Sequence, residues 1–245
     1  MSGHSKWATI KHKKAATDAK RGNLFTKLIK EITVAARSGG NPDINPKLRV
    51  AIDHAKNASM PSDNIERAIK KGTGELPGVS YEEMTLEGYG PGGVAIYVEL
   101  LTDNKNRTSS EIRSLFTKRG GNMAGAGSVA WIFEKKGYIT ISKETIDEDK
   151  LMSIVLDAGA EDMVSEDNEY GVKTAPQDFY KVKKAIEDNN IKIESDELTM
   201  LPKNTIKLSG DEAKKALELV DYLEEHDDVQ NVYANFDIPD EMLKE

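Results

Sequence analysis

Cysteine is absent from all 245 residues. Its absence excludes a disulfide scaffold, a Cys-ligated zinc site, an iron–sulfur cluster and thiol catalysis. No stretch approaches the roughly 18 consecutive apolar residues of a membrane-crossing helix. The opening Met1-Ser2-Gly3-His4-Ser5-Lys6-Trp7 lacks the apolar h-region of a secretory signal, so the expected location is cytoplasmic. Catalytic signatures are missing too. The histidines are His4, His12, His54 and His226, and no pair has metal-site spacing such as His-Glu-x-x-His. No Gly-x-Ser-x-Gly elbow exists. The chain reads as a non-enzyme without cofactor or metal.

What is present is charge. Charged residues make up 31 % of the chain and sum to −8, but the sum conceals an asymmetry. Residues 1–75 carry 15 Lys/Arg against 7 Asp/Glu, a net of +8, and residues 76–136 are neutral. Residues 137–200 carry −9 and residues 201–245 carry −7. Blocks this different imply domains with separate tasks. A polyanion belongs on the first block and is repelled by the last two.

Residues 1–75 read as a helical bundle. Leu24, Phe25, Leu28, Ile29, Ile32, Ala35 and Ala36 form a stripe of period 3.6 that stops at Gly39-Gly40. Asn45-Pro46 is an N-cap with proline at the first helical position, and Leu48, Ala51, Ile52, Ala55 and Ala58 follow it. Pro61-Ser62-Asp63 opens a third helix, in which Asp63 and Glu66 have capping-box spacing. Residues 72–78 are the expected linker.

The remainder alternates strands and helices. Strands over 81–88 and 94–101 flank a Gly-Tyr-Gly-Pro-Gly-Gly turn, a helix covers 107–119 and a strand covers 128–134. Residues 137–198 then read strand, helix, strand, strand, helix, strand, the split-βαβ or ferredoxin-like order. A helix over 210–225 and a strand over 229–236 close the chain. The expected fold class is α+β: an N-terminal helical bundle followed by two ferredoxin-like α+β domains, one inserted into the other. The expected domains are 1–75, 79–136 with 204–245, and an acidic insert at 137–200.

The N-terminal segment carries the strongest functional signal. From 1 to 37 there are nine Lys/Arg and two acids. Lys6, Lys11, Lys13, Lys14, Lys20, Arg21 and Lys27 are candidate phosphate contacts, while Trp7 and His12 can stack on bases. Lys105 and Arg107, beside Arg113, Lys118 and Arg119, offer a second phosphate surface; a solvated helix face explains them equally well. The Gly-rich run 120–128 follows a helix and opens a strand, the reverse of a nucleotide-binding loop, and has no Gly-Lys-Ser/Thr. It reads as a flexible loop permitting close backbone approach. The insert is not an RNA-recognition motif, because its third strand, Glu169-Tyr170-Gly171-Val172-Lys173-Thr174, lacks the stacking aromatics. Contact with a basic protein suits it better.

Four runs carry a resemblance. They are Met1-Ser2-Gly3-His4-Ser5-Lys6-Trp7-Ala8-Thr9-Ile10-Lys11-His12-Lys13-Lys14, the run Met60 to Ile69, Glu87-Gly88-Tyr89-Gly90-Pro91-Gly92-Gly93, and Gly120-Gly121-Asn122-Met123. Together they resemble the YebC family along the whole chain. The resemblance implies a helical domain and two α+β domains. It also implies a DNA-binding transcriptional regulator; the alternative is a ribosome-associated translation factor that contacts ribosomal RNA, like the mitochondrial translational activators of that family. No transit segment precedes the first motif, as expected of a bacterial cytoplasmic protein. The expected partners are nucleic acid through residues 1–75 and basic ribosomal proteins, with no membrane.

Overall fold

Apolar residues at helical spacing build the first three elements. The computed structural model describes residues 18–166 and 168–239, with side chains from residue 22 onward. Along the chain, α1 is Asp18–Ala35, α2 is Pro46–Asn57 and α3 is Ser62–Gly72. They are followed by β1 (Glu82–Tyr89), β2 (Ala95–Thr102), α4 (Lys105–Lys118), β3 (Asn122–Ala124) and β4 (Phe133–Ser142). Next come α5 (Glu148–Asp157), β5 (Asp162–Ser165), β6 (Glu169–Thr174), α6 (Phe179–Asp188) and β7 (Ser195–Pro202). The last elements are β8 (Ile206–Lys207), α7 (Gly210–Glu225), β9 (Val229–Ala234) and β10 (Phe236–Asp237).

Two compact units result. Among the described residues, one holds 18–129 and 209–234, and the other holds 130–208 and 235–239. In the first unit, Leu28, Ile32, Leu48, Ala51, Ile65 and Ala68 close the core of the bundle. The Asn45 carboxamide caps α2 by accepting the Leu48 N–H at 3.1 Å, and Pro46 holds the first helical position. The third helix differs from expectation. It starts at Ser62 with Pro61 as its N-cap and no side-chain cap, so Asp63 lies inside the first turn and acts through its charge on the positive end of the helix. Gly72 ends α3 against α1; a Cβ there would collide with the Thr33 carbonyl and stand 2.6 Å from the Ala36 Cβ.

The first unit also contains a four-stranded antiparallel sheet of order β3-β1-β2-β9. Its central hairpin turns through Gly92 and Gly93, at φ 69° and 78°, which only glycine adopts freely. Ile112 and Phe116 of α4, with Ala216, Leu219 and Leu223 of α7, bury their apolar sides. Strand β3 lies within the run read from sequence as a loop. Three residues are too few to show a period, and their pairing with β1 (Glu87↔Ala124, Gly88↔Met123, Tyr89↔Asn122) is what makes them a strand.

The second unit has sheet order β5-β6-β4-β7, antiparallel throughout, the order of a split-βαβ fold. Ile139, Ile141, Leu151, Val155, Val172 and Val182 fill its core. Its first strand is longer than expected. A 3-10 turn occupies Ala130–Ile132 where a strand was expected from 128, and β4 then runs unbroken through Lys135-Lys136-Gly137. A domain boundary between 136 and 137 would therefore cut a strand. The last strand of this sheet starts at Ser195 rather than Ile191, because Ile191 and Ile193 pack into the core ahead of the ladder.

Candidate nucleic-acid interface

The cations of the bundle divide into two sets. Lys6, Trp7, Lys11, His12, Lys13 and Lys14 lie outside the described residues. Lys20 and Arg21 fall in the first turns of α1, with their side chains outside the described set. Later on α1, Lys27 donates to the Glu224 carbonyl at 2.5 Å, and the Asn23 amide donates to the Glu225 carbonyl at 2.6 Å. These acceptors end α7, which has no basic residue in its own last turn. Helix α1 thus supplies cationic and amide donors to the negative end of α7. On the other two helices, Lys47, Arg49, Lys56, Arg67, Lys70 and Lys71 are exposed and form no ion pair with another described residue.

Lys30, one turn beyond Lys27, is buried. Its ammonium donates to Asp228 Oδ1 at 2.5 Å, the Asp227 carbonyl at 2.8 Å and the Leu101 carbonyl at 3.4 Å, so all three protons are used. On the other oxygen, Asp228 Oδ2 accepts from Thr108 Oγ1 at 2.6 Å and Arg107 Nη2 at 2.8 Å. Burial by itself would raise the Asp228 carboxyl. The hydrogen bonds from Lys30, Thr108 and Arg107 outweigh that and hold it well below the usual carboxylate range. Arg107 is also held by Asp103 at 2.7 Å, and its guanidinium is raised by the hydrogen bonds from it to Asp228 and Asp103. Tyr81 covers Lys30 with its ring centroid 5.5 Å from the ammonium. Burial, then the charges of Asp103 and Asp228, raise the Tyr81 hydroxyl.

The expected second phosphate surface is largely committed to internal partners. Lys105 pairs with Glu82 at 2.5 Å and, by that hydrogen bond first and its charge second, lowers the Glu82 carboxyl. Arg119 pairs with Glu218 at 3.1 Å and lies 3.9 Å from the Tyr222 ring centroid. With Arg107 fixed on Asp228, the exposed cations left on α4 are Arg113 and Lys118.

A cavity of about 820 Å³ opens beside this junction, lined by Lys30, Tyr81, Arg107, Lys118, His226 and Asp228 among others. Glu111, His226 and Asp228 bring one ligand atom each within 4.8 Å of one another. The chemistry of the three disfavours a metal. Asp228 already faces two protein cations. His226 Nδ1 accepts the Asp228 N–H at 3.1 Å, which assigns the ring proton to Nε2, 3.0 Å from Glu111 Oε2. A metal at Nε2 would drive that proton to Nδ1, against the Asp228 N–H.

Sequence reasoning missed Asp228, one acid among many near the C-terminus, and also Glu87. The Glu87 carboxylate is buried and accepts the N–H groups of Gly127 and Val129, each at 2.6 Å, while the Tyr89 hydroxyl donates to the Ser128 carbonyl at 3.2 Å. The Gly-rich run, read as flexible, is therefore clamped at its C-terminal end. The signal available was the acid opening Glu87-Gly88-Tyr89-Gly90, placed on a strand that borders the loop.

The helical bundle and the two antiparallel sheets with their covering helices define a multidomain α+β protein. Two family models match the chain: the TACO1/YebC protein N-terminal domain over residues 5–75, and the TACO1/YebC second and third domain over residues 81–236. The chain belongs to the TACO1/YebC family. It is 58 % identical to a "Probable transcriptional regulatory protein" of Dictyoglomus turgidum over 246 residues, covering 100 % of this chain and 99 % of the relative. One of the same description from Geobacter sulfurreducens is 59 % identical over 245 residues, with the same coverage. Among solved structures, a conserved hypothetical protein, Aq1575 of Aquifex aeolicus, matches with TM-score 0.82 and 49 % identity, covering 96 % of this chain and 97 % of that one. No helix among the described residues is long and apolar enough to cross a membrane.

Proposed function

We propose that this protein is a non-enzymatic regulator of gene expression that binds nucleic acid through residues 1–75, acting as a DNA-binding transcriptional regulator. The observation that carries the reading is the set of exposed cations on α2 and α3, within a block of net charge +8, without ion-pair partners among the described residues. The description of the relatives as probable transcriptional regulatory proteins supports the regulatory role. A binding role suits the junction better than catalysis does. Lys30 has committed its three protons, Asp228 is held ionised, and His226 Nδ1 is occupied by a backbone N–H.

One observation favours a second reading, a translation factor on ribosomal RNA. A DNA reader of the helix-turn-helix kind places a helix rich in base-reading side chains in the major groove. The exposed polar side of α2 offers Arg49, Asp53, Lys56 and Asn57, and His54 stands 3.5 Å from Glu31. That set tracks phosphates better than it reads bases. The deciding experiment is a competition at about 150 mM salt among random duplex, a candidate promoter and purified large ribosomal subunits. A DNA regulator prefers its operator over random duplex by about 10³-fold or more. If subunits compete and the promoter does not, the transcriptional reading is wrong.

A further inference from the structure

We infer that the outer face of α3, through Arg67, Lys70 and Lys71, is a sequence-blind contact for the phosphate backbone of double-stranded nucleic acid. The inference rests on the proposed function and assigns a surface and a ligand class to it. Arg67 and Lys71 are one helical turn apart, and Lys70 lies between them on the same side. Ile65 and Ala68 occupy the opposite side and are buried in the core of the bundle. The three cations are exposed, and none has an ion-pair partner among the described residues. Gly72 is pressed against α1, so the end of α3 that bears Lys70 and Lys71 is seated on the bundle. Of the exposed acids of α3, Asp63 lies in its first turn and Glu66 just before Arg67, so the run from Arg67 to Gly72 carries three cations and no acid.

The kind of nucleic acid follows from what the face lacks. Recognition of unpaired bases rests on aromatic stacking. Between residues 22 and 75 the rings are Phe25, which packs against the core of the bundle, and His54, which stands on α2 beside Glu31; α3 itself carries none. Lysine and arginine on an exposed helix face hold phosphates first, and the half-buried amide of α3, Asn64, lies in its first turn ahead of them. Duplex DNA and duplex RNA share that chemistry, and separate probes distinguish them.

The test uses the full chain and its Arg67→Gln/Lys70→Gln/Lys71→Gln variant. Probes are two duplex DNAs of unrelated sequence, one duplex RNA and one oligo-dT, titrated from about 50 to about 200 mM salt. The variant is expected to flatten the plot of log Kobs against log[salt] by roughly 0.9 for each duplex phosphate it no longer neutralises. Both DNA sequences should weaken alike, and oligo-dT should bind as before. An Arg67→Lys/Lys70→Arg/Lys71→Arg variant should keep the wild-type slope, and matching thermal melts confirm that each variant folds. An unchanged slope with the wild type still binding overturns this inference and leaves the proposed function standing. Equal weakening on oligo-dT, or unequal weakening on the two DNA sequences, overturns it as well. Failure of the wild type to bind any probe overturns the proposed function and this inference together.

Discussion

Lys30 on α1 and Lys70 on α3 are cations of the same three-helix bundle in opposite surroundings. Lys30 is buried with a carboxylate and two carbonyls taking its three protons, while Lys70 is exposed and pairs with no described residue. Along the chain they belong to one basic block. The fold turns Lys27 and Lys30 of α1 into fasteners that hold the bundle to α7 and to Asp228, and leaves the α3 cations facing water. Net charge therefore says how much cation a domain has, and tertiary partners decide how much of it a polyanion can use.

The largest expected effect is on the inward side. Asp228→Ala strands the Lys30 ammonium in a buried site and should cost about 3–5 kcal/mol, read as a fall in the urea midpoint without a change in slope. A Lys30→Met/Asp228→Leu double variant should cost less than Asp228→Ala, since no lone charge stays buried. If the single variant melts like wild type, Lys30 is no fastener and the contrast with Lys70 collapses. Acid should reproduce part of the loss. The Asp228 carboxyl is held below its ordinary value, so its contribution is fully present above the unfolded pKa of about 3.9 and is lost as pH falls from there through the native one. The check is the difference between wild type and Asp228→Ala, which should shrink as pH falls below about 4.

How far the sequence announced all this depended on the range of the interaction. The Asn45-Pro46 start of α2 and the turn at Gly90–Gly93 were legible because capping and turn chemistry are local. The split-βαβ order of the second unit was legible from alternating elements, each long enough to show a period. The Lys30–Asp228 pair joins residues 198 positions apart, and Asp228 sits beside Asp227 and close to Glu224 and Glu225, where nothing local singles it out. The same holds for Lys27, whose spacing suits a phosphate contact and whose observed acceptor is a carbonyl at the end of α7.

A middle-sized effect is expected at Glu87, whose carboxylate fastens a loop as Asp228 fastens a helix. Glu87→Gln keeps the shape but turns one acceptor into a donor that faces an N–H of Gly127 or Val129. Leaving one such buried group unsatisfied costs about 1–3 kcal/mol. Amide hydrogen exchange should speed up at Gly127 and Val129 first. Uniform acceleration across the sheet instead would mean that Glu87 supports the strand as a whole rather than the loop.

The smallest effect on stability belongs to Lys70. It lies in the last turn of α3, where a cation favours the negative end of the helix by about 0.3–1 kcal/mol at low salt and less as salt is added. Lys70→Ala gains helix propensity in return, since alanine is the better helix former. The two opposing terms should leave the melt within about 0.5 kcal/mol of wild type. Nucleic-acid binding should respond in the opposite proportion, with the salt slope on duplex falling by roughly 0.9 if one phosphate goes unneutralised. Lys30 cannot give that combination, because removing it disturbs folding before binding can be read. A Lys70→Ala protein that melts early and binds duplex with an unchanged slope would place Lys70 with the fasteners and dissolve the distinction between the two faces of the bundle.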